Sequence, residues 1–356
     1  MNISYSNDIP LITVIIPTFR RPRLLKRAMD SVLAQTYPHF QICIYDNASQ
    51  DETSQIVKEY ASRDHRIKYH VHAENIGSNN NWQYGFSRIN TPFFVMLSDD
   101  DLFMPTFLEE AMRGFSQYPH AGIFIGGLIV IDEKQRVKGY DLYEWTHRNY
   151  FEPKEFITEL VKGRPFPYWA AMVFRKEVKE KTGQLQVDLL WHDVEFLMRA
   201  FKFFPVVLSK IPCSIFLVHS SNISLGLSVD ELVQLRLCFK NMLEGPFSAE
   251  EKRVLEKTLT KQSHNNILEF CFQKFARFSF SESLVGTDFL LKNSSLNFKG
   301  KLLRFFSKKC LENKSLIYLF SPLIRLRRAI VRMLNNRHLK KQISEKDFEN
   351  FKNLIK

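Results

Sequence analysis

Apolar and polar residues follow two different periods along the first three fifths of the chain, and the switches between them mark out the elements. Apolar runs at Ile12 to Ile16, Gln41 to Tyr45, Ile67 to Val71 and Phe93 to Leu97 have the length of strands. The last is wholly apolar, as a strand buried on both faces must be. Between them the period lengthens. Leu24, Leu25, Ala28, Val32 and Leu33 share one face of a helix from Arg21 to Gln35. Ser49 and Glu52 have the spacing of a capping box for a helix from Asp51 to Arg63, which would leave Asp46 free for a ligand. Gly77 breaks the chain before an Asn cluster that starts a helix carrying Trp82 and Phe86. Strands and helices in this rhythm predict βαβ units and an α/β, doubly wound, mostly parallel sheet flanked by helices.

Further on, Pro105 to Tyr118 reads as a helix, and Ala121 to Ile131 as a strand interrupted at Gly126 and Gly127, by a bulge or by the close approach of a ligand. Residues 139–151 form a Tyr-rich loop with Asp141 and Trp145, suited to stacking on a sugar or to serving as a plain lid. Tyr168 to Phe174 reads as a strand. After Gly183, Val194, Leu197, Met198 and Phe201 share one helical face, and His192 and Asp193 stand at that helix's start. Val206 to Val218 supplies short strands ending at HSSNIS. From about Leu227 the pattern turns helical, at Glu231 to Leu243 and Ala249 to Phe278. Ser321-Pro322 then opens a helix with Leu323, Leu326, Ile330 and Leu334 on one face and Arg325, Arg328 and Arg332 on another. Two domains are expected, 1–226 and a helical C-terminal region at 227–356.

The chain has 356 residues, 45% of them hydrophobic and 25% charged, an ordinary globular composition with room for a large core. Five cysteines without a CxxC pair argue against a disulfide framework or a thiolate metal site and fit a reducing cytosol. The N-terminus lacks a basic segment followed by an apolar one, and the longest apolar run, Ala121 to Ile131, is too short to span a bilayer. A cytoplasmic protein is expected, without export signal or transmembrane helix.

Charge changes this picture at one place. Between Lys299 and Lys341 thirteen Lys and Arg face one acid, Glu312, which accounts for the whole formal charge of +12. A basic amphipathic segment at 299–341 suits the anionic surface of a membrane, peripherally at its inner face, or packing on its own domain or on a second copy in a homodimer. Nucleic acid is not an expected partner, because no recognisable nucleic-acid motif is present and the body of the chain is neutral.

The candidate chemistry begins where the Phe93 to Leu97 run stops at three adjacent acids, Asp99, Asp100 and Asp101. That is a strand's carboxyl end, where open α/β sheets bind ligands, and hard carboxylate oxygens there suit Mg²⁺ or Mn²⁺. A helix cap is the plainer reading, but three like charges side by side exceed what a cap needs. No GxGxxG and no GxxxxGK[ST] occurs, so phosphates, if bound, are bound another way.

The ordered stretches VIIPTFRR, IYDNASQDET, ENIGSNNNW, LSDDDLFMP and WHDVEF, spread over Pro10 to Ser224, resemble the inverting glycosyltransferases of family 2, which have the nucleotide-sugar-binding GT-A fold. The resemblance implies a nucleotide-diphospho-sugar donor, UDP-linked with dTDP open, and a glycan or lipid-linked acceptor, as in bacterial surface polysaccharide synthesis. By the same resemblance Thr18 and Asp46 line the nucleobase pocket, Asn75 and Gly77 lie in a loop near the nucleotide, and Asp99 contacts the ribose. Asp100 is the principal ligand of Mn²⁺ or Mg²⁺, with Asp101 in support. His219 matches a late motif near the diphosphate and joins the metal set. Ser98 stands where the commonest family form has an Asp, which shifts metal binding toward the diphosphate. Asp193 takes the place of the catalytic base, with His192 replacing the usual Glu. Backbone N–H groups at a helix start are expected to hold the Asp193 pKa low until acceptor binding restores its basicity. The competing reading is a catalytically silent member of the family acting as a scaffold.

Overall fold

The computed structural model describes residues 11–141, 148–219, 228–245, 247–276, 279–293 and 298–312. These divide into two compact units, one of residues 11–160 and 164–219, the other of 161–163 and the described residues from 228 to 312. The boundary expected at 226, the aromatic loop around Trp145 and the amphipathic helix expected after Ser321 lie outside the described residues.

In the first unit β1 (Ile12–Thr18), α1 (Pro22–Leu33), β2 (Phe40–Asp46), α2 (Thr53–Arg63), β3 (Ile67–Val71), α3 (Ser78–Ser87) and β4 (Phe93–Met96) follow the alternation read from the sequence. Then come β5 (Leu102–Phe103), α4 (Phe107–Gln117), β6 (Ile123–Asp132), β7 (Val137–Asp141), β8 (Tyr150–Phe151), α5 (Pro153–Val161), β9 (Met172–Arg175), α6 (Lys176–Thr182), α7 (His192–Phe201) and β10 (Val206–Val218). They build one sheet of order β3-β2-β1-β4-β9-β6-β10-β5, with β7 on β6 and β8 on β10. The sheet is parallel from β3 to β4. It becomes mixed where β9 enters antiparallel between β4 and β6.

Strand alternation sorts the sheet's side chains onto two faces. Val14, Ile16, Ile42, Ile44 and Val95 share one core with Leu25, Ala28 and Val32 of α1, Val57 of α2 and Phe107, Ala111 and Phe115 of α4. On the other face aromatic rings make the contact. Phe86 of α3 lies 5.7 Å from Phe94 and 5.2 Å from Phe196 of α7, and Phe94 stacks on Phe174 at 5.1 Å. Both faces are thus covered, which is why Phe93 to Met96 tolerates no polar residue.

Two local expectations change. Tyr168 to Phe174 is not one strand: Trp169–Ala171 forms a 3₁₀ turn and β9 begins at Met172. Val206–Val218 is one strand of 13 residues rather than several short ones. Its parallel register with β6 shifts between Leu208 and Pro212 and again between Pro212 and Ser214. There β10 presses against the two glycines. A Cβ on Gly126 would lie 2.3 Å from Cys213 Sγ, and one on Gly127 would lie 2.7 Å from the Ile211 carbonyl oxygen. The glycines make room for a neighbouring strand, not for a ligand.

The second unit contains α8 (Val229–Met242), α9 (Ala249–Ala276), α10 (Phe280–Asn293) and α11 (Phe298–Glu312). Leu255, Leu259, Ile267, Leu268, Cys271, Leu290, Leu303 and Cys310 are buried, and Ser307 Oγ donates to Ser283 Oγ at 3.0 Å in the interior. No described helix is long and apolar enough to cross a membrane.

Candidate active site

The chain from β1 runs to β2 and β3 on one side, whereas β4 lies on the other, so the sheet's switch point falls between the carboxyl ends of β1 and β4. A side-chain hydrogen bond spans that crevice: Thr18, the last residue of β1, donates from Oγ1 to Asp99 Oδ2 at 2.7 Å. Thr18 also stands in register with Asp46 at the end of β2. The topology therefore gathers three of the predicted nucleotide residues at one edge.

Asp46 is buried and already engaged. Its Oδ1 accepts the Ser49 N–H at 2.9 Å, and its Oδ2 accepts the Tyr69 hydroxyl at 2.6 Å. The expected capping box is absent. Ser49 Oγ instead accepts the Arg20 N–H at 2.9 Å, and the Thr53 N–H at the start of α2 is taken by Asp51 Oδ1 at 2.9 Å. Asp46 is thus not left free by a cap elsewhere; it shapes the turn after β2.

Asn75 and Gly77 belong to a small amide network. Asn47 Nδ2 donates to Asn75 Oδ1 at 2.8 Å, the Ile76 N–H donates to Asn47 Oδ1 at 2.8 Å, and the Gly77 N–H donates to Asn75 Oδ1 at 2.9 Å. Gly77 has φ 86°, and a Cβ there would meet Asn80 Nδ2 at an uncrowded 4.0 Å. Backbone conformation rather than crowding accounts for the glycine. Asn47, at the centre of the network, was not singled out from sequence; its position directly after the strand-ending Asp46 was the available signal.

The three acids are all buried and have separate surroundings. Asp99 Oδ1 accepts from Arg21 Nη1 at 3.2 Å, and Asp100 Oδ2 accepts from the same nitrogen at 2.9 Å. His219 Nε2 lies 2.8 Å from Asp100 Oδ2. Burial and the neighbouring Asp100 charge push the Asp99 carboxyl up to about 6, against the pull of Arg21 and Thr18. Asp101 turns toward β10, its Oδ1 accepting the Leu217 N–H at 3.1 Å, and burial raises its pKa well above the ordinary value. That bond ties the turn after β4 to the backbone of β10. Arg21 was not identified as a site residue from sequence. Its signal was the basic pair after PTF, ahead of a helix.

Asp100 Oδ2 and His219 Nε2 are separated by the distance expected between adjacent ligands of a cation with bonds of about 2.0–2.2 Å. These two atoms fit a divalent ion. Among the described residues no three His, Cys, Asp or Glu side chains come together as a ligand set, so the remaining positions would fall to donor oxygens or water.

Asp193 lies in the first turn of α7, one residue beyond His192. The expectation of a depressed pKa does not hold. Burial raises the Asp193 carboxyl, with His192 and backbone N–H groups pulling the other way, and burial lowers the His192 pKa. The desolvation cost of a carboxylate outweighs the helix-start hydrogen bonds. The loop leading to this pair is tied from two sides. Asn79 Nδ2 of α3 donates to the carbonyls of Val187 at 2.8 Å and Leu189 at 3.1 Å, and Gln83 Oε1 accepts the Leu185 N–H at 2.8 Å. Arg199 of α7 donates to the carbonyls of Thr182 and Gln184 while bridging to Glu195. His192 Nδ1 is buried without a hydrogen-bond partner among the described residues.

Residues 13–183 match the family model described as glycosyl transferase family 2. A GalNAc(5)-diNAcBac-PP-undecaprenol beta-1,3-glucosyltransferase of Campylobacter jejuni is 24% identical over 204 residues, 55% of this chain and 65% of that protein. The first curated relatives it matches, bacterial glycosyltransferases, are covered over only 21%, 38% and 18% of their own length. Among solved structures, S. aureus TarS 1-349 in complex with UDP-GlcNAc aligns with a TM-score of 0.59 at 13% identity, over 96% of this chain and 90% of that one. The mannosyltransferase PcManGT from Pyrobaculum calidifontis, in complex with GDP-Man and Mn²⁺, aligns with a TM-score of 0.53 at 15% identity, over 92% and 87%. At these identities the two structures show a shared fold, of the GT-A type.

Proposed function

We propose that the chain is a glycosyltransferase of family 2, the family whose model residues 13–183 match, and that it moves a sugar from a nucleotide-diphospho-sugar to a hydroxyl of a glycan or lipid-linked acceptor, with inversion. The observation that carries this reading is the bond of Thr18 to Asp99 across the switch-point crevice, with Asp100 and His219 paired beside it. A UDP-linked donor is in keeping with the TarS neighbour, and a lipid-linked acceptor with the Campylobacter relative.

In this reading Thr18, Asp46, Asn75, Gly77 and Asp99 form the nucleotide side of the site. Asp46 reads the base with the acceptor capacity that Ser49 and Tyr69 leave over, and those two bonds hold its carboxylate in one orientation. Asp100 and His219 would hold Mn²⁺ or Mg²⁺, which when bound supplies positive charge that stabilises a departing diphosphate. Asp193 takes the proton of the acceptor hydroxyl as it attacks. Its burial makes it a stronger base than a surface carboxylate, and general-base assistance of this kind contributes about 10²–10⁴ in rate. The tie between Asn79 and the 187–189 carbonyls connects the helix that follows the nucleotide loop to the loop that carries this base.

The basic region 299–341 is proposed to meet the acceptor's membrane. Its described part, α11, exposes Lys301, Lys308 and Lys309 beside Leu302 and Phe305, a mixture suited to an anionic interface.

A thermal-shift titration with UDP, dTDP, GDP and CMP, each with and without Mn²⁺, on the wild type and Asp100→Ala tests the reading. Stabilisation by one nucleotide that needs both Mn²⁺ and Asp100 supports it. Absence of stabilisation by every nucleotide leaves the silent scaffold as the better account.

A further inference from the structure

Arg21 pairs with both Asp99 and Asp100, and the fold aims it there. Arg20, one residue earlier, has φ 55°, a left-handed conformation that a non-glycine residue adopts at a cost. Two bonds to one residue hold it: its N–H donates to Ser49 Oγ at 2.9 Å and its Nε to the Ser49 carbonyl at 3.2 Å. Ser49 is itself fastened to Asp46. The turn so fixed sends Arg21 toward Asp99 and Asp100 from the start of α1, where its side chain caps nothing.

Arg21 Nη1 lies 2.9 Å from Asp100 Oδ2, the same oxygen that faces His219. Any divalent ion sharing that oxygen would meet the guanidinium's like charge within about 5 Å, in a site too buried for water to screen it well. The acids cannot move away, being 6% and 7% exposed, whereas Arg21 is 31% exposed and reaches solvent.

We infer that Arg21 is a resident counter-cation that competes with the metal for Asp100, so that metal binds tightly only when a nucleotide's diphosphate is present to draw the guanidinium away and neutralise it. This rests on the metal reading above and adds an order of events: nucleotide and metal enter together, and the protein alone holds the ion weakly. The carboxylate, the imidazole and the guanidinium form a three-membered site in which one positive charge is exchanged for another.

The test is Mn²⁺ binding, followed by electron paramagnetic resonance of the free ion and requiring no turnover. Without nucleotide, Arg21→Gln is expected to bind Mn²⁺ at least about tenfold more tightly than wild type, and Arg21→Lys to stay within about threefold of wild type. Adding Asp100→Asn to Arg21→Gln should abolish the gain, which assigns the ion to this site. Equal affinities in wild type and Arg21→Gln overturn the inference while leaving the metal reading intact. If Arg21→Gln does not fold, Arg21→Met takes its place: the same gain without nucleotide supports the inference, and an affinity equal to wild type overturns it. Mn²⁺ binding that is indifferent to Asp100→Asn in every background removes the metal reading and the inference together.

Discussion

His219 Nε2 stands 2.8 Å from Asp100 Oδ2 across 119 positions of sequence. One residue ends the path of β10 and the other follows β4, and they meet because β9, β6 and β10 fold back beside the parallel half of the sheet. If the pair holds the metal, Asp100→Ala should abolish Mn²⁺-dependent nucleotide binding, and His219→Ala should weaken it about 10- to 100-fold. Isothermal titration with the nucleotide that stabilises the wild type checks both. Full metal-dependent affinity in the two variants would sink the assignment.

Asp193→Asn should lower kcat by about 10²–10⁴ with little change in donor affinity. The wild-type pH profile carries the sharper signature. A base acts only when deprotonated, and the Asp193 pKa is raised by burial, so turnover should fall on acidification with a midpoint above the ordinary Asp value of 3.8. The residual activity of Asp193→Asn should lack that limb.

Asn79 touches the loop that carries the base through backbone carbonyls alone. Asn79→Asp keeps the shape and removes both donors, and about a tenfold loss in kcat is expected, since small misplacements at a reacting centre are costly. Nucleotide affinity should change less than twofold. Equal losses in both quantities would point to general damage instead.

Stability should rise as pH is lowered from 7.5 toward 5. Asp99 is pushed up to about 6 and Asp101 well above its ordinary 3.8. A carboxyl whose folded pKa is raised binds protons more readily in the folded state. Its contribution is therefore complete below the unfolded value and is lost as pH rises through the folded one. For Asp99 that window is worth on the order of 3 kcal/mol. Below about pH 4 the opposite trend sets in, as Asp64, Asp132 and Glu155, held low by Arg partners, become protonated. Thermal unfolding in one buffer series reads this directly. Asp101→Asn, which can still accept the Leu217 N–H, should raise the Tm at pH 7.5 and lose that advantage by pH 5; an unchanged or lower Tm at pH 7.5 contradicts the assignment.

Gly126→Ala should destabilise the protein by about 1–3 kcal/mol, because its Cβ would meet both Cys213 Sγ at 2.3 Å and Cys213 Cβ at 2.4 Å. Cys213→Ala should not restore stability, since it keeps the Cβ. Chemical denaturation of the two single variants and the double variant distinguishes this from a loss of the thiol.

Much of the first unit was readable along the chain because strands buried on both faces and helices buried on one leave unmistakable periods. The run from Phe93 is a strand in the structure as in the sequence, ending at Met96, and the acids that follow it stay buried at the sheet's edge. Readings that assumed a local partner failed where a distant one competed. Ser49 had the spacing of a cap, but its hydroxyl takes the Arg20 N–H instead. Asp193 had the place of a residue held ionised by a helix start, but surrounding side chains desolvate it more than the backbone compensates. Gly126 and Gly127 suggested a bulge or an approaching ligand; the register of β10 on β6 shifts beside them, and what approaches is β10.

By itself the sequence determined the order of the elements, the acids at a strand's carboxyl end and the placing of the whole net charge in one C-terminal stretch. These follow from short-range periodicity and from residue chemistry, which need no folded partner. The tertiary structure alone decided that Arg21 pairs with both Asp99 and Asp100, that His219 stands beside Asp100 while Asp101 bonds the backbone of β10, and that Asn79 holds the loop before Asp193. Each depends on side chains brought together from positions some 80 to 120 apart. No local pattern encodes such meetings, because they are set by which strands the sheet places side by side and how deeply each charge is taken out of water.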